Sequence, residues 1–122
     1  MHGTISSYRD LLAWQAAMEL AVACYDTARN FPVGETYGTT SQIRRAATSV
    51  AADIAEGNGR ENTGSYIQFL RVAQGSLKEF GTHMIIAEKV RLMPDKDASC
   101  LLGRTEEIGK MLRSLIRTSR RS

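Results

Sequence analysis

The residue types that most often carry catalysis or bind metals are few and far apart in this sequence. The histidines are His2 and His83, and the cysteines are Cys24 and Cys100. Metal sites and thiol nucleophiles need several such side chains at short spacings, and neither pair provides one. His83 lacks the Glu-x-x-His partner of helical metal sites. We therefore expect no metal, no cofactor and no enzymatic activity.

The segment GNGR, residues 57 to 60, contains the glycines of a phosphate-binding loop without its context. Phosphate-binding loops follow a strand and open a helix, whereas GNGR follows an alanine-rich helical segment. The pattern is typical of a helix C-terminus, which we predict at Gly57.

Positive charge is concentrated at the end of the chain. The net charge is +3, yet residues 110 to 122 alone carry five cations and no acid, so the remaining residues are net negative. These five cations are Lys110, Arg113, Arg117, Arg120 and Arg121. A local excess of cations is typical of a nucleic-acid-binding surface. It is equally typical of a solvated helix end, where cations stabilise the helix dipole, and the sequence leaves both interpretations open.

Length and composition indicate one ordinary globular domain over residues 1–122. The chain is 43% hydrophobic and 24% charged, which argues against disorder. It contains no apolar run of about 20 residues, the length of a membrane span, and its first ten residues do not resemble a secretory signal. We expect a cytoplasmic protein with free thiols and no membrane partner.

Apolar residues recur in alternating steps of three and four within four segments, a spacing typical of helices packed in a bundle. The pattern predicts helices over residues 8–30, 40–57, 63–92 and 95–118. No segment shows the alternation of a strand. Four helices with short connections indicate an all-α fold, an antiparallel up-and-down four-helix bundle.

The same spacing predicts which side chains face the core. In the first helix they are Leu11, Trp14, Met18, Ala21, Tyr25 and Ala28. In the second they are Ile43, Ala46, Ala47, Val50 and Ile54. In the third they are Tyr66, Leu70, Ala73, Leu77, Phe80, Met84 and Ala87. In the fourth they are Leu101, Thr105, Ile108, Leu112 and Leu115. We expect Thr40 or Ser41 to cap the second helix and Asn62 or Thr63 the third.

The outward side of the second helix is unusually small, because it carries mostly alanine and serine beside a few charges. Alanine is the best helix former, so propensity alone is one explanation. The other is a second packing surface against another subunit, since small residues let a neighbouring helix approach closely. The mid-helix glycines Gly75 and Gly81 also indicate close approach. We expect an ion pair between Glu56 and Arg60, four residues apart.

Two stretches, QIRRAATSVAADIAEGNGR (42–60) and YIQFLRVAQGSLKEF (66–80), carry a resemblance to a known family. They resemble the four-helix bundle proteins encoded in intervening sequences of 23S ribosomal RNA genes, which are related to the accessory variability determinants of diversity-generating retroelements. The matching residues are Leu12, Trp14, Gln15, Phe31, Pro32, Glu35, Gln42, Arg45, Ser49, Ile54, Ala55, Glu56, Gly57, Phe69, Leu70, Ala73, Gly75, Ser76, Leu77 and Glu79. The chain departs from the family at Asp53, where asparagine is common.

The resemblance implies a ring-like homopentamer without enzymatic activity. In the retroelement branch it implies a positively charged ring that binds nucleic acid and associates with a reverse transcriptase. If the second helix packs on both sides, the subunit interface contains Arg45, Ser49, Ala52, Glu56 and Gly75.

Two functions follow as expectations. The first is an accessory protein that binds RNA or DNA by neutralising phosphates, without reading bases. Its candidate contacts are Arg44, Arg45, Arg60, Lys110, Arg113, Arg117, Arg120 and Arg121. The second is a protein-interaction scaffold that does not bind nucleic acid.

Overall fold

The structure, a computed structural model, describes residues 8, 11–35 and 38–121. Its elements are α1 (Leu12–Ala28), a short 3₁₀ turn (Val33–Glu35), α2 (Thr39–Asn58), α3 (Thr63–Lys89) and α4 (Asp95–Arg120). No strand occurs in this part of the chain, so the prediction of an all-α fold is confirmed. His2 and the predicted first turn of the first helix at residues 9 and 10 lie outside the described residues.

The four helices form a square bundle. Each of α1 and α3 packs against both α2 and α4, while the described residues show no packing across either diagonal. Short connections make successive helices antiparallel, so the C-terminal end of α4 lies beside the N-terminal end of α3. This arrangement confirms the predicted four-helix bundle and creates four seams between neighbouring helices.

The predicted core positions of α2 and α3 are confirmed almost without exception. All five inward positions of α2 are buried, and so are those of α3 except Tyr66, which is half-buried. In α4, Leu101, Ile108 and Leu112 are buried as predicted, whereas Thr105 and Leu115 are half-buried. The pattern was therefore correct at every position of α2 and at six of the seven positions of α3.

The predicted core of α1 is partly wrong. Met18 and Tyr25 are 40% and 41% exposed, and Trp14 is half-buried. The buried stripe instead consists of Ala13, Ala17, Leu20, Ala21, Cys24 and Ala28. Most of these side chains are small, and small side chains let packed helices approach closely.

The predicted cap of α2 is also wrong. Its N-cap is Gly38, no side-chain cap bond is found within the described residues, and Thr40 is buried inside the helix. The cap of α3 is confirmed, because the Asn62 side chain accepts a hydrogen bond of 2.7 Å from the backbone N–H of Ser65.

Several helix ends differ from the predicted boundaries. Helix α1 begins at Leu12 and ends at Ala28, where residues 8 and 30 were predicted; α2 begins one residue early, and α4 continues two residues further, to Arg120.

Gly57 does not terminate α2, which continues to Asn58 and is capped by Gly59. Helix α3 ends earlier than predicted, because Arg91 adopts a left-handed conformation (φ 64°). The N–H of Leu92 then bonds to the carbonyl of Ala87 at 2.8 Å, the pattern of a Schellman motif. Glycine is the usual residue at this position of the motif. Because the position is occupied by arginine, the sequence did not predict the end of the helix here.

Candidate nucleic-acid interface

Four of the predicted cations share one side of α4. Lys110, Arg113, Arg117 and Arg120 follow one another in steps of three and four, which at about 100° per residue keeps them on one helix side. Gly109 and Arg113 line the seam with α3, so this side of α4 flanks that seam. All four side chains are exposed. In the described part of the chain, one of the four cations forms an ion pair. Lys110 Nζ lies 3.9 Å from Glu107 Oε1, a long distance for such a pair.

The seam between α3 and α4 is open and forms a groove of about 530 Å³. We call it the α3/α4 groove; it is lined by Gln74, Leu77, Lys78, Gly81, Thr105, Glu106, Gly109, Lys110 and Arg113. Lys78 stands on the α3 rim, opposite Lys110 and Arg113 on the α4 rim. The groove therefore carries positive charge on both sides.

Sequence reasoning missed Lys78. Its position directly after the core residue Leu77 placed it on a flank of α3, but that signal did not say which helix would lie beside that flank. The packing of α4 against α3 supplies this information. The structure thereby adds one cation from α3 to the candidate surface on α4.

Arg44 is held against α1 instead of extending into solvent. Its guanidinium lies over the ring of Tyr25, 4.9 Å from the ring centroid, and the residue is half-buried. Burial raises the pKa of the neighbouring Cys24 thiol to about 11, while the positive charge of Arg44 acts in the opposite direction. The side chain thus stabilises the α1/α2 seam through a cation–π contact.

Arg45 and Arg60 also have partners within the protomer. Arg45 Nη2 donates to Gln42 Oε1 at 2.6 Å. Arg60 pairs with Glu56 at 3.0 Å, which confirms the predicted ion pair, and it lies 4.5 Å from the centroid of the Phe69 ring. Because α2 does not pack against α4, the structure does not gather Arg44 and Arg45 with the cations of α4.

The predicted interface residues lie on the outward side of the bundle. Arg45, Ala52, Glu56 and Gly75 are exposed, and Ser49 is half-buried. A Cβ atom added to Gly75 would meet no atom of the described residues within 4 Å, and one added to Gly81 would meet only Leu102 Cδ2, at 3.9 Å. The close approach predicted for these two glycines is therefore not found within the protomer.

Close approach occurs instead at Gly57, which is buried between α2 and α3. A Cβ atom there would lie 2.7 Å from Phe69 Cβ, a distance that real side chains do not adopt. The residue is a glycine because α2 and α3 touch at this point. Sequence reasoning had assigned it to a helix end, since a buried glycine and a terminating glycine look alike in a sequence.

Asp53, the departure from the family pattern, joins α2 to α3. Its carboxylate accepts a hydrogen bond of 3.0 Å from the Ser76 hydroxyl, and the residue is half-buried. Burial raises the pKa of Asp53, the Ser76 hydrogen bond lowers it, and the nearby Glu56 charge raises it. The acid thus faces the α2/α3 seam and not the cations of α4.

Features of a metal site or a membrane span are absent from the described residues. They contain no group of three or more His, Cys, Asp and Glu side chains able to hold a metal ion. His83 Nε2 lies 3.7 Å from Glu79 Oε2, beyond hydrogen-bonding distance. No helix in the described ranges is long and apolar enough to cross a membrane.

Together these observations define a class of protein, a small helical bundle with an open basic groove on one side. The family model described as 23S rRNA-intervening sequence protein matches residues 9–114. The chain belongs to this family, as its sequence motifs indicated. Comparison with curated proteins gave no match.

A solved structure supports the fold. The chain is similar to a protein of unknown function from the S23 ribosomal protein family of Bacteroides thetaiotaomicron, with a TM-score of 0.79 and 22% identity. The match covers 86% of this chain and 98% of that protein. At this identity the likeness shows a shared bundle fold.

Proposed function

We propose that this protein is a non-enzymatic, homo-oligomeric accessory protein that binds RNA or DNA by neutralising phosphates. One observation carries the proposal, the alignment of Lys110, Arg113, Arg117 and Arg120 on one exposed side of α4. Cations in a row suit a polyanionic backbone and provide no base-specific readout. Arg121, exposed directly after α4, extends the same charge.

The expected strength of such binding depends steeply on salt. Each neutralised phosphate of a single strand adds about −0.7 to the slope of log K against log salt, so four contacts give about −2.8. Affinity then falls about 50-fold between 50 and 200 mM salt. Five copies of a chain of net charge +3 would carry +15, which strengthens long-range attraction.

A matched pair of variants tests the proposal. We would measure fluorescence anisotropy of labelled RNA and DNA, at low and moderate salt. The triple variant Arg117→Gln, Arg120→Gln, Arg121→Gln removes three charges from the proposed surface. The control, Lys89→Gln, Arg91→Gln, Lys96→Gln, removes three charges from the opposite end of the bundle. We expect the first to weaken binding at least about tenfold and to flatten the salt slope, and the second to do neither. Equal losses in both variants would overturn the assignment of the surface.

The proposed oligomer, a pentamer on the family resemblance, uses the outward side of α2 with Gly75. The support is an exposed helix side of small residues, together with exposed apolar side chains on the adjacent α1. Ala52→Trp should lower the mass measured by light scattering after size exclusion, because Ala52 lies in the middle of this side. Ser99→Trp, at an exposed position on α4, is the control. An unchanged mass for Ala52→Trp would contradict the interface.

A second candidate function is a protein-interaction scaffold. The observation in its favour is the outward side of α1, where Leu12 and Val22 are 71% and 59% exposed. Absence of nucleic-acid binding at low salt would make this the leading proposal. Association with a reverse transcriptase stays a prediction of the resemblance.

A further inference from the structure

The α3/α4 groove differs from the rest of the basic surface, because both of the helices that line it contribute cations. Lys78 stands on one rim, and Lys110 and Arg113 stand on the other. Neither Lys78 nor Arg113 takes part in the ion pairs found among residues 11–35 and 38–121. Two opposed cationic rims fit a narrow polyanion that enters the cleft, whereas a row on one helix fits any anionic surface.

The usual spacing of packed helices argues for a single strand over a duplex as the occupant. Packed helices typically have axes about 8–10 Å apart, and a groove between two such neighbours is too narrow to admit a duplex. A duplex can touch the rims but cannot bring a phosphate down to the floor. A single strand can place its backbone between the rims, and the volume of about 530 Å³ lies within the range of ligand pockets.

Two glycines keep the floor open. Gly81 and Gly109 lie within helices, where glycine is among the poorest residues, so their presence calls for a reason. Tight packing does not supply it. A Cβ atom on Gly109 would meet Arg113 Nη1 at 3.5 Å and Leu77 Cδ2 at 3.8 Å, and one on Gly81 would meet Leu102 Cδ2 at 3.9 Å. Longer side chains at these positions would fill the space between the rims.

The polar lining favours recognition of a backbone over recognition of bases. Gln74 offers an amide, while the Thr105 hydroxyl already donates to the carbonyl of Leu102 at 2.6 Å. Among the described lining residues none is aromatic, so the groove lacks the stacking surface that other single-strand binders use. Affinity must then come from phosphate contacts, opposed by the one lining acid, Glu106.

We infer that the α3/α4 groove binds the phosphodiester backbone of single-stranded nucleic acid, with Lys78 and Arg113 gripping phosphates from opposite rims. The inference rests on the proposed function and narrows its substrate to unpaired strands. A surface that merely attracts charge prefers the duplex, which has the higher charge density. Preference for the single strand is therefore a property that the groove must supply.

Three variants and four probes test the inference. The probes are labelled single-stranded RNA and DNA of one sequence and the corresponding duplexes, measured by fluorescence anisotropy. Lys78→Gln with Arg113→Gln removes the opposed cations. Gly109→Met fills the floor without changing charge, and Lys89→Gln with Arg91→Gln is the charge-matched control. Circular dichroism melting establishes that each variant is folded.

The wild-type protein should bind single strands at least about tenfold more tightly than duplex. The opposed-cation variant should lose about tenfold for single strands, with a salt slope shallower by about 1.4, the value for two phosphates. Gly109→Met should lose a similar factor for single strands. Duplex affinity should change little in Gly109→Met and in the control, and it should fall less than single-strand affinity in the opposed-cation variant, because Arg113 also belongs to the row of cations on α4. The RNA and DNA arms show which single strand is preferred.

The results distinguish failure of the groove inference from failure of the proposed function. Equal binding of single strands and duplex by the wild-type protein would overturn the groove inference and leave the proposed function standing. Single-strand binding unaffected by both groove variants would do the same. No binding of any probe at low salt would overturn both the inference and the proposed function.

Discussion

Helix α3 is flanked by two seams that differ in closeness. At the α2/α3 seam, Gly57 leaves so little room that an added Cβ atom would lie 2.7 Å from Phe69 Cβ. At the α3/α4 seam, Gly81 and Gly109 border an open groove of about 530 Å³. One seam uses glycine to bring two helices into contact, and the other uses it to leave space. A mid-helix glycine can therefore mark either a close helix contact or an open space, and the position of the neighbouring helix determines which of the two it is.

The polar groups of the two seams also differ: they are paired at the close α2/α3 seam, whereas two cations at the open α3/α4 seam have no ion-pair partner among the described residues. At the α2/α3 seam the Ser76 hydroxyl donates to Asp53, and Arg60 is shared between Glu56 and the Phe69 ring. At the α3/α4 seam Lys78 and Arg113 lie on different helices of the groove, and neither forms an ion pair in the described ranges. Polar groups that satisfy each other hold a fold together, whereas unsatisfied cations are available to an external anion.

The largest expected effect is at Gly57. Gly57→Ala should lower the free energy of unfolding by about 1–2 kcal/mol, because overpacking against Phe69 outweighs the better helix propensity of alanine. Urea denaturation monitored by circular dichroism measures this change.

Gly109→Ala is the matched change at the open seam and should have the opposite sign. Its Cβ atom would make only ordinary contacts, so the helix should gain up to about 1 kcal/mol. If both substitutions shift stability in the same direction, the distinction between a closed and an open seam is wrong.

Much of the fold could be predicted because it depends on periodicity. The apolar spacing gave four helices and the correct inward positions of α2 and α3. The apolar spacing gave the wrong inward positions in α1. Met18 and Tyr25 follow the same period as a stripe of alanines, and it is the alanine stripe that is buried. Periodicity identifies apolar stripes, but the fit against neighbouring helices decides which stripe is buried.

The candidate site was less accessible to sequence reasoning. The cations of α4 were recognisable because they are close together in the chain, whereas Lys78 is more than thirty residues away from them. The cation–π contact between Arg44 and Tyr25 could not be predicted either, since it depends on how α1 and α2 pack together. Charge along a chain can be counted in advance, but which charges are free depends on packing.

A smaller effect is expected from the hydrogen bond across the closed seam. Ser76→Ala should cost about 1 kcal/mol, because the half-buried Asp53 carboxylate loses its donor from α3. Thr105→Ala is the comparison at the open seam. The Thr105 hydroxyl bonds to Leu102 within its own helix, so its loss should change the unfolding free energy by less than about 0.5 kcal/mol. Equal costs in urea denaturation would show that Ser76 does not join the helices.

The smallest expected effect is a pH dependence at Asp53. Burial raises its pKa above the ordinary value of 3.8, so the folded state binds this proton more tightly than the unfolded chain. The carboxyl therefore contributes stability below pH 3.8, and the contribution is lost as pH rises through the folded pKa. Asp53→Asn cannot ionise but still presents an oxygen to Ser76.

The variant should match the wild type most closely near pH 3 and become relatively more stable toward pH 7, by at most about 0.5 kcal/mol. Parallel thermal melts across this range isolate the difference, because all other carboxyls titrate in both proteins. A difference that is constant with pH would mean that Asp53 is as well solvated in the fold as in the unfolded chain. A difference of the opposite sign would mean that Ser76 outweighs burial, and the closed seam would then favour the charged acid.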